Sequence, residues 1–207
     1  MEEKYVITIG RQLGSGGKEI GTRLAETLGI AFYDKELIQI ASKESGLGKE
    51  YFERADEKKR FPVFGSLFGL RSTMADDTFA HYYLSNEALY KIQSDVIRNL
   101  ADSGSCVFVG RCADYILKDH PRCLNLFITA NKKERISRIT ACEKISEEKA
   151  AEIIEKSDRQ RAGYYNYFSN KEWGVADTYH LCINSSMLGI DGTVGFLKHL
   201  TEQLFGI

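Results

Sequence analysis

Between Gly10 and Gly17 four of eight residues are glycine, and Lys18 follows in the run Gly10-Arg11-Gln12-Leu13-Gly14-Ser15-Gly16-Gly17-Lys18-Glu19-Ile20-Gly21. Glycines let successive backbone N–H groups curl round an anion, and a helix starting at the end of the run adds its positive pole to them. An ordinary turn needs fewer glycines and no lysine. Phosphate binding by Gly14, Ser15, Gly16, Gly17, Lys18 and Glu19 is therefore the expected chemistry. The spacing departs from the usual G-x-x-x-x-G-K-[ST] pattern. Lys18 stands eight positions after Gly10, and Glu19 comes next. With Gly14-Ser15-Gly16 aligned to the glycine pair of the pattern, Gly17 occupies the lysine position, Lys18 is one residue late, and Glu19 replaces the metal-binding hydroxyl. The long Lys18 side chain still reaches the phosphates, and the metal is expected through water, through Ser15 or through a carboxylate elsewhere.

Moving a phosphoryl group asks a protein mainly to position two phosphates and spread their charge, which calls for arginines converging from several loops. Arg111 directly follows an apolar run, at a helix start that disfavours a cation unless an anion is near. Arg135 and Arg138 lie one helical turn apart on one face. They either meet a phosphate or belong to a solvated face with Lys132, Lys133 and Glu134. Asp158-Arg159-Gln160-Arg161 places two cations beside a carboxylate just after a helix. Arg159 and Arg161 diverge on a regular helix, so one faces donor and one acceptor, unless the segment is an intrahelical salt-bridge cluster. Asp34 fits a partner for magnesium or an arginine and fits equally an N-cap for a helix beginning at Lys35. The four histidines (81, 120, 180 and 199) have no catalytic or metal-binding spacing and read as structural. Trp173 and the aromatic residues 164, 165, 167 and 168 pack the return to the last strand, or stack on a base.

The elements that must hold these groups alternate in type. Five strands are predicted at residues 5–9, 31–33, 106–109, 124–128 and 180–183. The first, third and fourth are nearly continuous apolar runs, as befits central strands covered on both faces. Apolar residues at three- and four-residue spacing predict helices over 18–28, 35–44, 86–102, 132–143, 146–157 and 191–204. This is the pattern of an α/β chain with a mainly parallel sheet. The stretch from Gly46 to Ser85 has no single period and includes the aromatic residues 61, 64, 68, 79, 82 and 83. It reads as an insertion whose aromatic side chains require a cover, either substrate or another subunit.

The size, 207 residues, fits a single domain over 1–207, with 43% hydrophobic and 28% charged residues. A formal charge of −1 supplies no bulk positive field for nucleic acid, so any anion site is local. No apolar stretch approaches a membrane span, and the residues after Met1 lack a secretory signal, which places the protein in the cytoplasm without a membrane partner. Five scattered cysteines with no C-x-x-C pair fit reduced thiols rather than a metal site.

Together the variant loop, Phe32-Tyr33-Asp34-Lys35-Glu36, Val109-Gly110-Arg111-Cys112-Ala113-Asp114-Tyr115, Phe127-Ile128-Thr129-Ala130 with Arg135 and Arg138, and Asp158-Arg159-Gln160-Arg161 resemble the cytidylate kinase-like branch of P-loop nucleoside monophosphate kinases. The resemblance implies a P-loop NTPase three-layer sandwich with a five-stranded parallel sheet of order 2-3-1-4-5. It also implies an acceptor-binding insertion (about 46–85) and a mobile lid (about 135–165). It further implies ATP and Mg²⁺, with transfer to a nucleoside monophosphate, CMP or dCMP, giving the diphosphate. In those terms Lys18, Arg138, Arg159 and Arg161 serve the transferring group, and Asp34, Arg111 and Asp158 hold the acceptor. Lys35 stands where that family has serine. A kinase of another small metabolite, and a nucleotide-binding module without transfer, remain open.

Overall fold

The computed structural model describes residues 3–34, 46 and 75–207, with side chains from residue 87 onward in the last stretch. The chain falls into two compact units, Met1–Lys35 with Arg98–Ile207, and Glu36–Ile97. The first unit contains the sheet. Its strands are β1 (Val6–Arg11), β2 (Ala31–Tyr33), β3 (Cys106–Val109), β4 (Cys123–Thr129) and β5 (Leu181–Asn184). They pair in parallel in the order β2-β3-β1-β4-β5, with Ile7 opposite Val107 and Leu124, and Arg11 opposite Ile128. The three apolar runs are thus the central strands. Their side chains are buried because helices cover both faces, which leaves no solvent-facing positions for polar residues.

The helices are α1 (Gly17–Leu28), α2 (Ala75–Ser103), α3 (Ala113–Ile116), α4 (Lys132–Glu143), α5 (Glu147–Ser169) and α6 (Gly189–Phe205), with a 3₁₀ turn at Ala176–Thr178. Strand alternation sorts the core into two layers. Ile7, Ile9, Val107, Val109, Leu126 and Ile128 point to the face where Ile20 and Leu24 of α1 meet Val194 and Leu197 of α6. Phe127 points the other way, against Trp173 and Tyr179. Of the apolar stripe that the last helix presents at residues 190, 194, 197, 200 and 204, the first four pack on this core, whereas Leu204 is 53% exposed.

Two expectations need correction. Helix α2 begins at Ala75, so residues 75–85 of the segment taken as irregular are helical. Helix α5 does not end at 157. It runs on to Ser169 and carries Asp158 to Arg161 inside it, because Asp158 and Arg161 gain partners in the glycine loop that a sequence period does not register. The predicted helix over 35–44 and residues 47–74 of the insertion lie outside the described residues.

Candidate phosphate-binding site

β1 ends at Arg11 and α1 begins at Gly17, so the glycine run joins a central strand to a helix N-terminus at the carboxyl edge of the sheet. Open α/β sheets bind ligands at this edge. Gly14 (φ 76°) and Gly16 (φ 77°) are left-handed on either side of Ser15, the backbone alternation that turns N–H groups inward to form a nest. The loop is held on three sides. A Cβ on Gly14 would lie 2.7 Å from the Arg135 carbonyl oxygen of α4, and one on Gly16 would lie 2.2 Å from Ile190 of α6. From the end of β5, Ser185 Oγ donates to the Ser15 carbonyl at 2.7 Å. Ser15 itself is fully buried. Its Oγ donates to the Gln12 carbonyl at 2.8 Å and accepts from Gly17 N–H at 3.3 Å, so the hydroxyl shapes the loop from within.

Helices α4 and α5 bring guanidinium groups to this loop. Arg135 Nε donates to the Leu13 carbonyl at 2.7 Å, and its Nη2 is paired with Asp158, whose other oxygen accepts from Leu13 N–H at 2.8 Å. Arg138 Nη1 donates to the Gly14 carbonyl at 3.0 Å, and Arg161 Nη1 to the Arg11 carbonyl at 3.1 Å. Asp158 and Arg161 share one face of α5 because they are three residues apart. Burial pulls Arg161 below the usual guanidinium range; the nearby Asp158 opposes this and the Arg135 charge adds to it. The three guanidinium groups have two carboxylates beside them, Asp158 on Arg135 and Glu134 3.6 Å from Arg138, so positive charge stays in excess, the polarity an anion needs.

Lys18 stands in the first turn of α1, 63% exposed, with Nζ 2.5 Å from Asp34 Oδ2 just past β2. Glu19 is also exposed on that turn and pairs with Arg23 at 3.6 Å. Of the expected metal contacts, Ser15 is committed inside the loop, which leaves the buried Asp34 as the carboxylate beside the helix N-terminus. Among the described residues there is no cluster of three His, Cys, Asp or Glu side chains suited to a metal ion.

The remaining expected residues separate. Arg111 is left-handed (φ 57°), in a turn where Gly110 and Cys112 are left-handed too, and its guanidinium lies 5.3 Å from the Tyr164 ring centroid of α5. The next residue of that helix, Tyr165, donates its hydroxyl to Asp114 of α3 at 2.6 Å. Burial raises both groups, pushing the Asp114 carboxyl up while the Tyr165 bond opposes it, and pushing the Tyr165 hydroxyl well up together with the Asp114 charge. Helix α5 therefore touches the glycine loop with Asp158 and Arg161, and the turn after β3 with Tyr164 and Tyr165. Arg159 faces elsewhere: with Gln12, Lys132, Arg135, Asp158 and Trp173 it lines a cavity of about 680 Å³ beside the loop. The expectation that neighbouring arginines on this segment diverge thus agrees with the arrangement, and Arg161 is the one on the loop.

Sequence reasoning left Arg135 undecided, gave residue 164 to packing or to a base stack rather than to Arg111, and did not single out Ser185 or Asp114. The buried Arg135 carried a signal, since a buried arginine needs a carboxylate and Asp158 was available. Ser185 acts through its place at the end of β5, which spacing alone does not reveal.

A search of curated proteins found no match. Among solved structures, the chain resembles an uncharacterized protein from Eubacterium ventriosum, with 25% identity over 96% of this chain and 99% of that one and a TM-score of 0.72. A shikimate kinase from Bacteroides thetaiotaomicron (12% identity, 96% and 98% covered, TM-score 0.52) and TT1252 from Thermus thermophilus (16%, 98% and 99%, 0.52) share the fold. A sequence model for the cytidylate kinase-like family matches residues 6–187, a span that begins in β1 and includes the glycine loop, Arg111 and the arginines of α4 and α5. With this match and the 2-3-1-4-5 parallel sheet, the chain belongs to the cytidylate kinase-like family and has a P-loop kinase fold.

Proposed function

We propose that the protein transfers the terminal phosphoryl group of ATP to the phosphate of a nucleoside monophosphate, CMP or dCMP, giving the diphosphate. The observation that carries this reading is the convergence at one sheet edge of a left-handed glycine loop, a helix N-terminus and the guanidinium groups of Arg138 and Arg161. Family membership supports ATP as donor, and the fold supports a small-molecule acceptor.

In this mechanism Gly14, Ser15, Gly16 and Gly17 form the cradle: the N–H groups of Gly14 and Gly16 and the first turn of α1 receive the donor phosphates, while Ser15 N–H on the Gln12 carbonyl and Gly17 N–H on Ser15 Oγ hold its shape. The clamped loop needs little rearrangement, which limits the entropy lost on binding. An acceptor phosphate oxygen attacks the terminal phosphorus in line, the bond to the bridging oxygen breaks, and ADP leaves with that electron pair. A dianionic acceptor phosphate has no proton to lose, so no strong base is required. Lys18, Arg138 and Arg161 neutralise charge on the transferring group, with Arg159 entering from the adjacent cavity. Arg111 and Asp34 position the acceptor side, and Asp158, with both oxygens engaged by Leu13 N–H and Arg135, acts there through the loop it holds. Magnesium supplies further neutralisation of the donor phosphates. Asp34 and Glu19 would hold it through water, since Mg²⁺ needs few protein carboxylates when phosphate oxygens share its shell.

A coupled assay of ATP consumption across all nucleoside monophosphates checks the reading. Turnover is expected with the cytidine acceptors, at about 1–100 s⁻¹ as is usual for kinases. Turnover confined to a non-nucleotide acceptor would transfer the chemistry to another metabolite. ATP binding with no turnover on any acceptor would leave a nucleotide-binding module.

A further inference from the structure

The glycine loop lacks a side chain at the position where the usual P-loop carries its lysine, Gly17, and the structure contains a reason. An ideal Cβ on Gly17 would lie 2.6 Å from Arg11 Cβ, 3.0 Å from Arg11 Cγ and 3.3 Å from Ile128 Cβ. Gly17 is the first residue of α1 and is not left-handed, so its backbone would accept any residue and only this crowding stands against one. The stem of Arg11 already fills the place.

From there the Arg11 side chain runs to the turn after β3. An ideal Cβ on Gly110 would lie 2.1 Å from Arg11 Nη1 and 3.1 Å from its Cζ. Two glycines, one at the start of α1 and one beside Arg111, thus leave room for a single guanidinium. That guanidinium bridges the carboxyl ends of β1 and β3, paired neighbours at the centre of the sheet. The Arg11 backbone is fixed as well, by its place opposite Ile128 in the β1–β4 pairing and by the bond from Arg161 to its carbonyl. Lys18, one residue further round the helix, is directed to Asp34.

We infer that Arg11 takes the part of the P-loop lysine, its guanidinium binding the donor's β- and γ-phosphates between the helix N-terminus and the acceptor turn. The inference rests on the kinase reading for the identity of the donor. A guanidinium suits the place because it offers a planar fork to two phosphate oxygens, where an ammonium offers a point charge.

The test is binding of ATP with magnesium, and of inorganic tripolyphosphate, by calorimetry, with fold checked by circular dichroism. Arg11→Met keeps the stem that packs on Gly17 and should bind both probes at least about tenfold more weakly, the loss of one charge-assisted contact. Arg11→Lys, which keeps stem and charge, should lose less. The relocation variant Arg11→Gly/Gly17→Lys removes both Arg11 atoms that crowd the position, Cβ and Cγ, and puts a lysine where the usual loop has it. It should bind more tightly than Arg11→Gly alone, a gain that a purely structural Arg11 would not produce. Affinity within about twofold of wild type for folded Arg11→Met and Arg11→Lys would overturn the inference, as would a relocation variant no better than Arg11→Gly. Wild-type protein that binds neither probe would remove the kinase reading itself.

Discussion

Lys18→Ala is expected to lower ATP turnover by about 100- to 1,000-fold, the usual effect of removing one positioned charge from a developing transition state. Its ammonium is 63% exposed, but the Asp34 carboxylate it pairs with is 6% exposed, so the variant also takes a counter-charge from a buried group. The variant should stay folded and melt a few degrees below wild type, about 2–4 °C for each kcal/mol lost. With Arg11 and the loop amides intact, ATP affinity should change far less than kcat. Steady-state kinetics and a thermal melt separate these effects. Turnover near the wild-type value would show that Lys18 does not act on the phosphates.

Asp158→Ala should instead damage the scaffold. The carboxylate accepts from Leu13 N–H with one oxygen and pairs Arg135 with the other, while Arg135 also holds the Leu13 carbonyl. Truncation leaves a buried guanidinium without its counter-charge and a loop amide without its acceptor. Breaking a buried pair by removing one partner costs about 3–5 kcal/mol. For a chain of this length each kcal/mol lowers the melting temperature by about 2–4 °C, so a drop of about 6 °C or more is expected. Asp158→Asn retains an oxygen for Leu13 N–H and should fall less. A melting temperature unchanged in Asp158→Ala would mean that the Arg135–Asp158 pair does not hold the loop.

The central strands and the loop between β1 and α1 are legible in the sequence because each expresses a local rule. Cys106 to Val109 is apolar throughout, and Val6 to Ile9 is apolar but for the buried Thr8, because both faces of those strands are covered, and a loop that turns its amides inward needs glycine at its left-handed positions. The strand order came from family resemblance, since nothing in a run of valines states its neighbour. Helix α5 was cut short because its second half carries few apolar residues at helical spacing. Those turns are held by polar contacts instead, from Arg161 to the Arg11 carbonyl and from Tyr165 to Asp114. The same reason concealed the first task of the arginines. They were expected to face phosphate, and in the structure Arg138 and Arg161 donate to loop carbonyls, so the groups that would meet the ligand also hold its cradle. Arg11 was the least legible, because the glycine that makes room for it lies six residues away in sequence and across a turn in space.

Phosphoryl transfer at this sheet edge depends most on backbone amides of the glycine loop receiving the donor phosphates. Backbone and arginine-Nε NMR spectra, recorded as a non-hydrolysable ATP analogue with magnesium is added, observe those groups directly. The expected result is that the largest shifts fall on the amides of Gly14, Gly16, Gly17 and Lys18, accompanied by the Nε signals of Arg138 and Arg161. Saturating analogue that leaves these signals in place while shifting residues elsewhere would contradict the account.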